Sequence, residues 1–228
     1  MVRLIFSKRA VIAPVLSEIL NTSIRLGTYP SKLKIAIKLR QYLRMTMILT
    51  QTTTDLSLYF QIFNRVFEKI IYNRLTSYIK KHELLYSSQY GFRKEHSTQH
   101  AIRDIFNDIQ TNMEQRLLSC GVFIDLKRAF DTIDHDILLD KLNHYGFRGL
   151  INDWFASYLK NRTQTTQVGH HISDKAIIGC GVPQGSILGP LLFLLYVNDI
   201  RRCSNKFRFY LFADDTNILY ADKNLKDL

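Results

Sequence analysis

The chain has 228 residues, 46% of them hydrophobic and 22% charged, a balance that excludes collagen-like, coiled-coil and wholly disordered classes and leaves an ordinary globular protein. Its 31 Lys and Arg outnumber 20 Asp and Glu for a net charge of +11, which points to nucleic acid or an anionic membrane as partner, with solubility charge as the bland rival. Three cysteines without CxxC spacing indicate neither a zinc site nor a disulfide framework, and fit a reducing compartment.

Met1–Val15 opens like a secretory leader, but Lys8 and Arg9 interrupt its apolar run, so secretion is not expected. Val11, Ile12, Val15, Leu16, Ile19 and Leu20 follow a helical period that Gly27 would end. Gln41–Leu58 has no usable period and reads as a polar linker or an edge strand. Ile62, Phe63, Val66, Ile70, Ile71, Leu75, Tyr78 and Ile79 mark a long amphipathic helix with Arg65, Lys69, Arg74 and Lys80 on its solvated face. Ser97 or Thr98 can cap a third helix that turns Ala101, Ile102, Ile105, Phe106 and Ile109 inward.

The period then shortens. Cys120–Leu126 is a brief apolar run with β-branched residues and reads as a buried strand. Helices follow near 136–145 and 149–160, Thr163–Val168 and Lys175–Gly179 form a strand pair, and Gly181–Gly185 (GVPQG) is a loop. Ile187–Ile200 is apolar enough for an enclosed helix. Its longest apolar run, Ile187–Val197, contains Gly189 and Pro190 and falls well short of the ~20 residues that span a bilayer. Phe207–Ala213 and Asn217–Tyr220 flank Asp214 and Asp215 as a β-hairpin would. His170 and His171 have no Cys or His partners at ligand spacing and read as loop residues.

Asp125 therefore ends one strand while Asp214 and Asp215 occupy a hairpin tip. Clustered carboxylates repel one another unless hard cations neutralise them, and two such ions about 3.5–4 Å apart can serve phosphoryl transfer. Alone, an Asp pair in a turn is ordinary turn chemistry. The glycines of Gly181–Ser186 would let a nucleotide approach the backbone closely; alone, they are ordinary loop glycines.

Taken in order, Phe123–Asp131 (FIDLKRAFD), Gly181–Pro190 (GVPQGSILGP) and Phe212–Asp215 (FADD) resemble motifs A, B and C of reverse transcriptases, those of jockey-like non-LTR retrotransposons above all. Asn64–Leu75 (NRVFEKIIYNRL) and Gln89–Thr98 (QYGFRKEHST) resemble the same family upstream. The likeness covers 62–223 and, more loosely, 10–36. It implies an α+β right-hand polymerase, with fingers over 1–120 and a palm over 121–228 whose antiparallel sheet packs on helices, and with the thumb absent. By matching position, Asp125, Asp214 and Asp215 would bind two Mg²⁺, or Mn²⁺, and carry catalysis. Phe130 would be the gate against a ribose 2′-OH. Gln184 and Gly185 would line the nucleotide site, and Arg93 would face nucleic acid. Asp131 and Asp134 are expected as loop or capping residues. The implied partners are an RNA template, a DNA primer or target DNA, and dNTPs, with no membrane and with nuclear action suggested by retrotransposon biology alone.

One segment departs from the family. Its members carry basic stretches after position 36 that contact the triphosphate, whereas here Thr52–Ser57 reads TTTDLS. A frame displaced by two bases can spell NYRPIS there, and the same frame can spell KVTPI across Ile37–Tyr42, so 37–61 reads as a frameshifted segment. Two functions follow. One is RNA-directed DNA synthesis by two-metal nucleotidyl transfer; the other is a degenerate, catalytically inactive transposon fragment that binds nucleic acid nonspecifically. A purely RNA-binding module would have no use for three acids beside phosphates.

Overall fold

The computed structural model describes residues 9–39, 55–168, 171–183 and 185–224. The first eight residues of the leader-like start, most of Gln41–Leu58, His170 and Gln184 lie outside them. The elements run α1 (Arg9–Arg25), β1 (Ile35–Leu39), α2 (Asp55–Lys81), α3 (Thr98–Glu114), β2 (Leu118–Asp125), α4 (His135–His144), α5 (Leu150–Leu159), β3 (Arg162–Val168), β4 (His171–Ile172), β5 (Ala176–Ile178), α6 (Gly189–Val197), β6 (Arg208–Phe212) and β7 (Asp215–Asp222). Helix and sheet are mixed, as expected. No helix among the described residues is long and apolar enough to cross a membrane.

The chain divides into two units, Met1–Ile70 with Asp134–Pro183, and Ile71–Ile133 with Gln184–Leu228. Residues 120 and 121, where the sequence reading divides fingers from palm, lie together in the second.

In the first unit, α1 ends where Gly27 takes φ 59°, a left-handed stop suited to glycine. Trp154, Phe155, Tyr158 and Leu159 on α5 are fully buried, and Tyr29 meets the Trp154 and Tyr158 rings edge-on at 5.3 and 5.0 Å. Within this core the buried Glu68 accepts from Tyr158 Oη at 2.9 Å and from Asn64 Nδ2 at 3.1 Å. Asp134 begins α4 by accepting from the Asp136 and Ile137 amides at 2.9 and 3.0 Å, the capping role expected of it. β3 and β5, which run antiparallel, pair as foreseen. Two strands were not: β1 runs parallel to β3, and His171 sits in the short β4 rather than in a loop.

The second unit holds an antiparallel sheet ordered β2-β7-β6. Helix α3 rests on it through Ala101, Ile105 and Ile109, which pack with Tyr90, Tyr210 and Leu219. Ile102 and Phe106 were expected inward and are instead 65% exposed, because they lie one residue, about 100°, round the helix from that stripe. Cys120–Leu126 also departs from expectation. β2 is a strand, but it lies at an edge of its sheet, and Phe123 is 76% exposed. An apolar run reports strand propensity, not whether a second layer covers it. The expected enclosed helix is α6, whose Leu191–Leu195 are buried.

Candidate active site

The hairpin β6–β7 is closed by the pair Phe212↔Asp215, so its turn consists of Ala213 and Asp214. Ala213 has φ 56°, a conformation that costs a residue with a Cβ about 1–2 kcal/mol. β7 pairs along its length with β2, and the last rung sets Asp125 directly opposite Asp215. Directly opposed Cα atoms in such a ladder stand about 4.5–5.5 Å apart. The structure thus brings all three expected carboxylates to one end of one sheet. Asp125 and Asp215 are exposed and Asp214 is half-buried.

Among the described residues no three His, Cys, Asp or Glu side chains stand grouped as ready-made metal ligands. The donor set nevertheless suits a hard cation: two opposed carboxylates and an adjacent third are all oxygen and open to solvent. Mg²⁺ is commonly held in this way, by one or two carboxylates completed by substrate phosphates rather than by a closed protein cage.

Three residues beyond Asp125, Arg128 takes φ 56° and starts the 3-10 turn Ala129–Asp131. The turn presents Phe130, half-buried, with its ring 4.6 Å from that of Phe193 on α6 and edge-on to Phe92 at 5.9 Å. Gly185 is exposed at φ 75°, with open space where a Cβ would point. Ser186 Oγ then accepts from the Gly189 amide at 2.9 Å at the start of α6.

Arg93 braces its own loop. Its Nη1 donates to the carbonyls of Tyr86 at 2.8 Å and Gln89 at 3.0 Å. Nearby, Tyr90 Oη donates to Asp104 at 2.7 Å; burial first, and this bond next, push the Tyr90 hydroxyl up to about 12. Tyr210 Oη and Arg208 Nη1 both donate to Asp108. Burial again leads the upward shift of Tyr210.

Sequence reasoning missed several supports. In the first unit the buried His135 bonds through Nε2 to the Gly181 carbonyl at 2.7 Å, holding the start of the Gly181–Gly185 loop. In the second, Gln89 and Gly91 are buried against the β6–β7 hairpin. Only the quoted Gln89–Thr98 stretch hinted at them, through its likeness to a family.

Residues 57–226 match the reverse transcriptase (RNA-dependent DNA polymerase) family. The chain is 31% identical over 166 residues to a probable RNA-directed DNA polymerase from transposon BS of Drosophila melanogaster, covering 69% of this chain and 18% of that protein. It is 28% identical over 222 residues to the RNA-directed DNA polymerase from mobile element jockey of the same fly, covering 92% and 24%. The chain therefore spans about a fifth of the length of these curated relatives. Among solved structures, a telomerase from Candida albicans in complex with a fragment of telomeric RNA superposes with TM-score 0.55 at 15% identity, covering 87% of this chain and 39% of that one. That likeness is one of fold.

Proposed function

Because the chain belongs to the reverse transcriptase (RNA-dependent DNA polymerase) family, we propose that it forms the palm and part of the fingers of a non-LTR retrotransposon polymerase that copies RNA into DNA. The observation that carries this reading is the rung Asp125↔Asp215 with Asp214 in the adjoining turn. In the reaction the primer 3′-oxygen attacks the α-phosphorus of a dNTP. A phosphodiester bond forms, the α–β phosphoanhydride breaks, pyrophosphate leaves, and the 3′-hydroxyl proton passes to solvent. Two Mg²⁺ or Mn²⁺ ions, held by Asp125, Asp214 and Asp215, would supply the charge that activates the hydroxyl and stabilises the leaving oxygens.

The chain's own residues do the positioning. Phe130, whose ring packs on that of Phe193, would close the space a ribose 2′-OH needs. Gly185, with no Cβ and open space before it, lets the nucleotide or template approach the backbone. The net charge of +11 neutralises phosphates of the template and primer.

The test is Mg²⁺-dependent extension of a DNA primer on an RNA template by a full-length element protein carrying this segment, with 37–61 in the displaced frame. Extension that Asp125→Asn and Asp214→Asn each abolish is the expected result. Extension that survives both substitutions would remove the carboxylates from the chemistry, and none from the intact protein would leave the degenerate-fragment reading.

A further inference from the structure

The turn that carries Asp214 and leads into Asp215 is gripped by a stretch of chain some 120 residues earlier. The Leu211 amide donates to the Ser88 carbonyl at 2.9 Å, and the Tyr90 amide donates to the Leu211 carbonyl at 2.7 Å. Gln89 thereby pairs with Leu211 as a single parallel step beside β6. The next residue but one is Gly91, which is buried. A Cβ placed on it would stand 2.0 Å from Ala213 N, 2.8 Å from Ala213 Cα and 2.9 Å from the Phe212 carbonyl carbon. All three are backbone atoms, of the turn and of the strand residue before it, so no side chain can swing aside to make room. Gly91 is not among the glycines with positive φ; what it needs is space, not an unusual torsion.

Two side chains brace the segment further. Gln89 Oε1 accepts from the Gly91 amide at 3.0 Å, and Arg93 Nη1 ties down the Tyr86 and Gln89 carbonyls. On the other side of the contact, Ala213 keeps its left-handed conformation, which survives only where the surroundings over-determine it.

We propose that Gly91 is a positioning residue for the carboxylate turn: its missing Cβ lets the Ser88–Gly91 segment lie against Ala213 and so sets where Asp214 stands and how Asp215 faces Asp125. The proposal rests on reading those carboxylates as a divalent-metal site. It is tested on the full chain with Mn²⁺ alone, followed by electron paramagnetic resonance, alongside unfolding curves and hydrogen exchange at the Leu211 and Ala213 amides. Gly91→Ala should stay folded, exchange these amides faster and bind Mn²⁺ at least about tenfold more weakly, the scale seen when second-layer partners of a metal site are lost. Arg93→Ala, which loosens the segment without adding bulk, should move both readouts in the same direction. A merely structural glycine would lower the unfolding midpoint and leave the Mn²⁺ affinity of the folded protein unchanged; that result overturns the proposal. If Gly91→Ala does not fold, unchanged Mn²⁺ affinity and exchange in Arg93→Ala overturn it instead. Asp215→Asn separates the two ideas. If it leaves Mn²⁺ binding untouched, the metal reading fails, and the positioning role then stands or falls on amide exchange alone.

Discussion

Asp125 and Asp215 face each other across the last rung of β2 and β7, which makes a sign reversal measurable. Two unit charges about 5 Å apart in water repel by about 0.8 kcal/mol, and salt screening reduces that for exposed groups. Both residues are exposed, so the pair should destabilise the metal-free protein by about 0.5 kcal/mol, within the range for like charges opposed on a sheet. Asp125→Asn removes the repulsion, keeps the shape, and should raise stability by that amount in EDTA. With Mg²⁺ or Mn²⁺ at ten times its dissociation constant, native protein gains about 1.4 kcal/mol by mass action. The substituted protein, missing a ligand, gains less. The order of stabilities should therefore invert between EDTA and metal, and urea unfolding in both conditions reads it directly. If Asp125→Asn is less stable than the native chain in EDTA, or gains as much from metal, the carboxylates do not form the repelling, cation-seeking pair argued above.

Phe130→Val should admit ribonucleotides to an active full-length enzyme at a stability loss of about 1–2 kcal/mol for a half-buried ring, and Phe92→Ala, by freeing the edge contact on that ring, should do so more weakly; unchanged sugar discrimination in a folded Phe130→Val protein would refute the gate. Glu68→Ala would strand the Tyr158 hydroxyl and the Asn64 amide in a buried site and should lower stability by about 3 kcal/mol; a loss under about 1 kcal/mol in urea would show that water replaces the carboxylate. Tyr90 is raised in the folded state, so its contribution is complete below its unfolded pKa near 10 and fades as pH climbs toward about 12; unfolding curves of Tyr90→Phe should lack that alkaline decline. The +11 chain should bind single-stranded RNA without sequence preference, its affinity falling steeply and linearly in log salt, and a flat salt response in a filter or anisotropy titration would rule out phosphate neutralisation.

Much of the local structure was legible because it depends on neighbours a few residues apart. The period of Ile62–Ile79 marked α2, Asp134 announced the cap of α4, and the residues around Asp214 and Asp215 announced a hairpin whose turn consists of Ala213 and Asp214. The three acids could be named as site residues from the order of the motifs. Their register could not. That Asp125 lies opposite Asp215 follows from which rung of β2 meets which rung of β7, a non-local pairing that a one-residue slip would undo by turning every side chain to the other face. Exposure was likewise beyond reach. Phe123, Ile102 and Phe106 are as apolar as their buried neighbours, and only the layers that form beside them decide which face meets water. The parallel β1–β3 pair and the approach of Gly91 to Ala213 join residues more than a hundred positions apart. Sequence determined which segments become helix, strand and turn, through periodicity and capping chemistry. Tertiary structure alone decided which of them meet, because those contacts depend on how separate surfaces fill space against each other and not on the order of residues within any one of them.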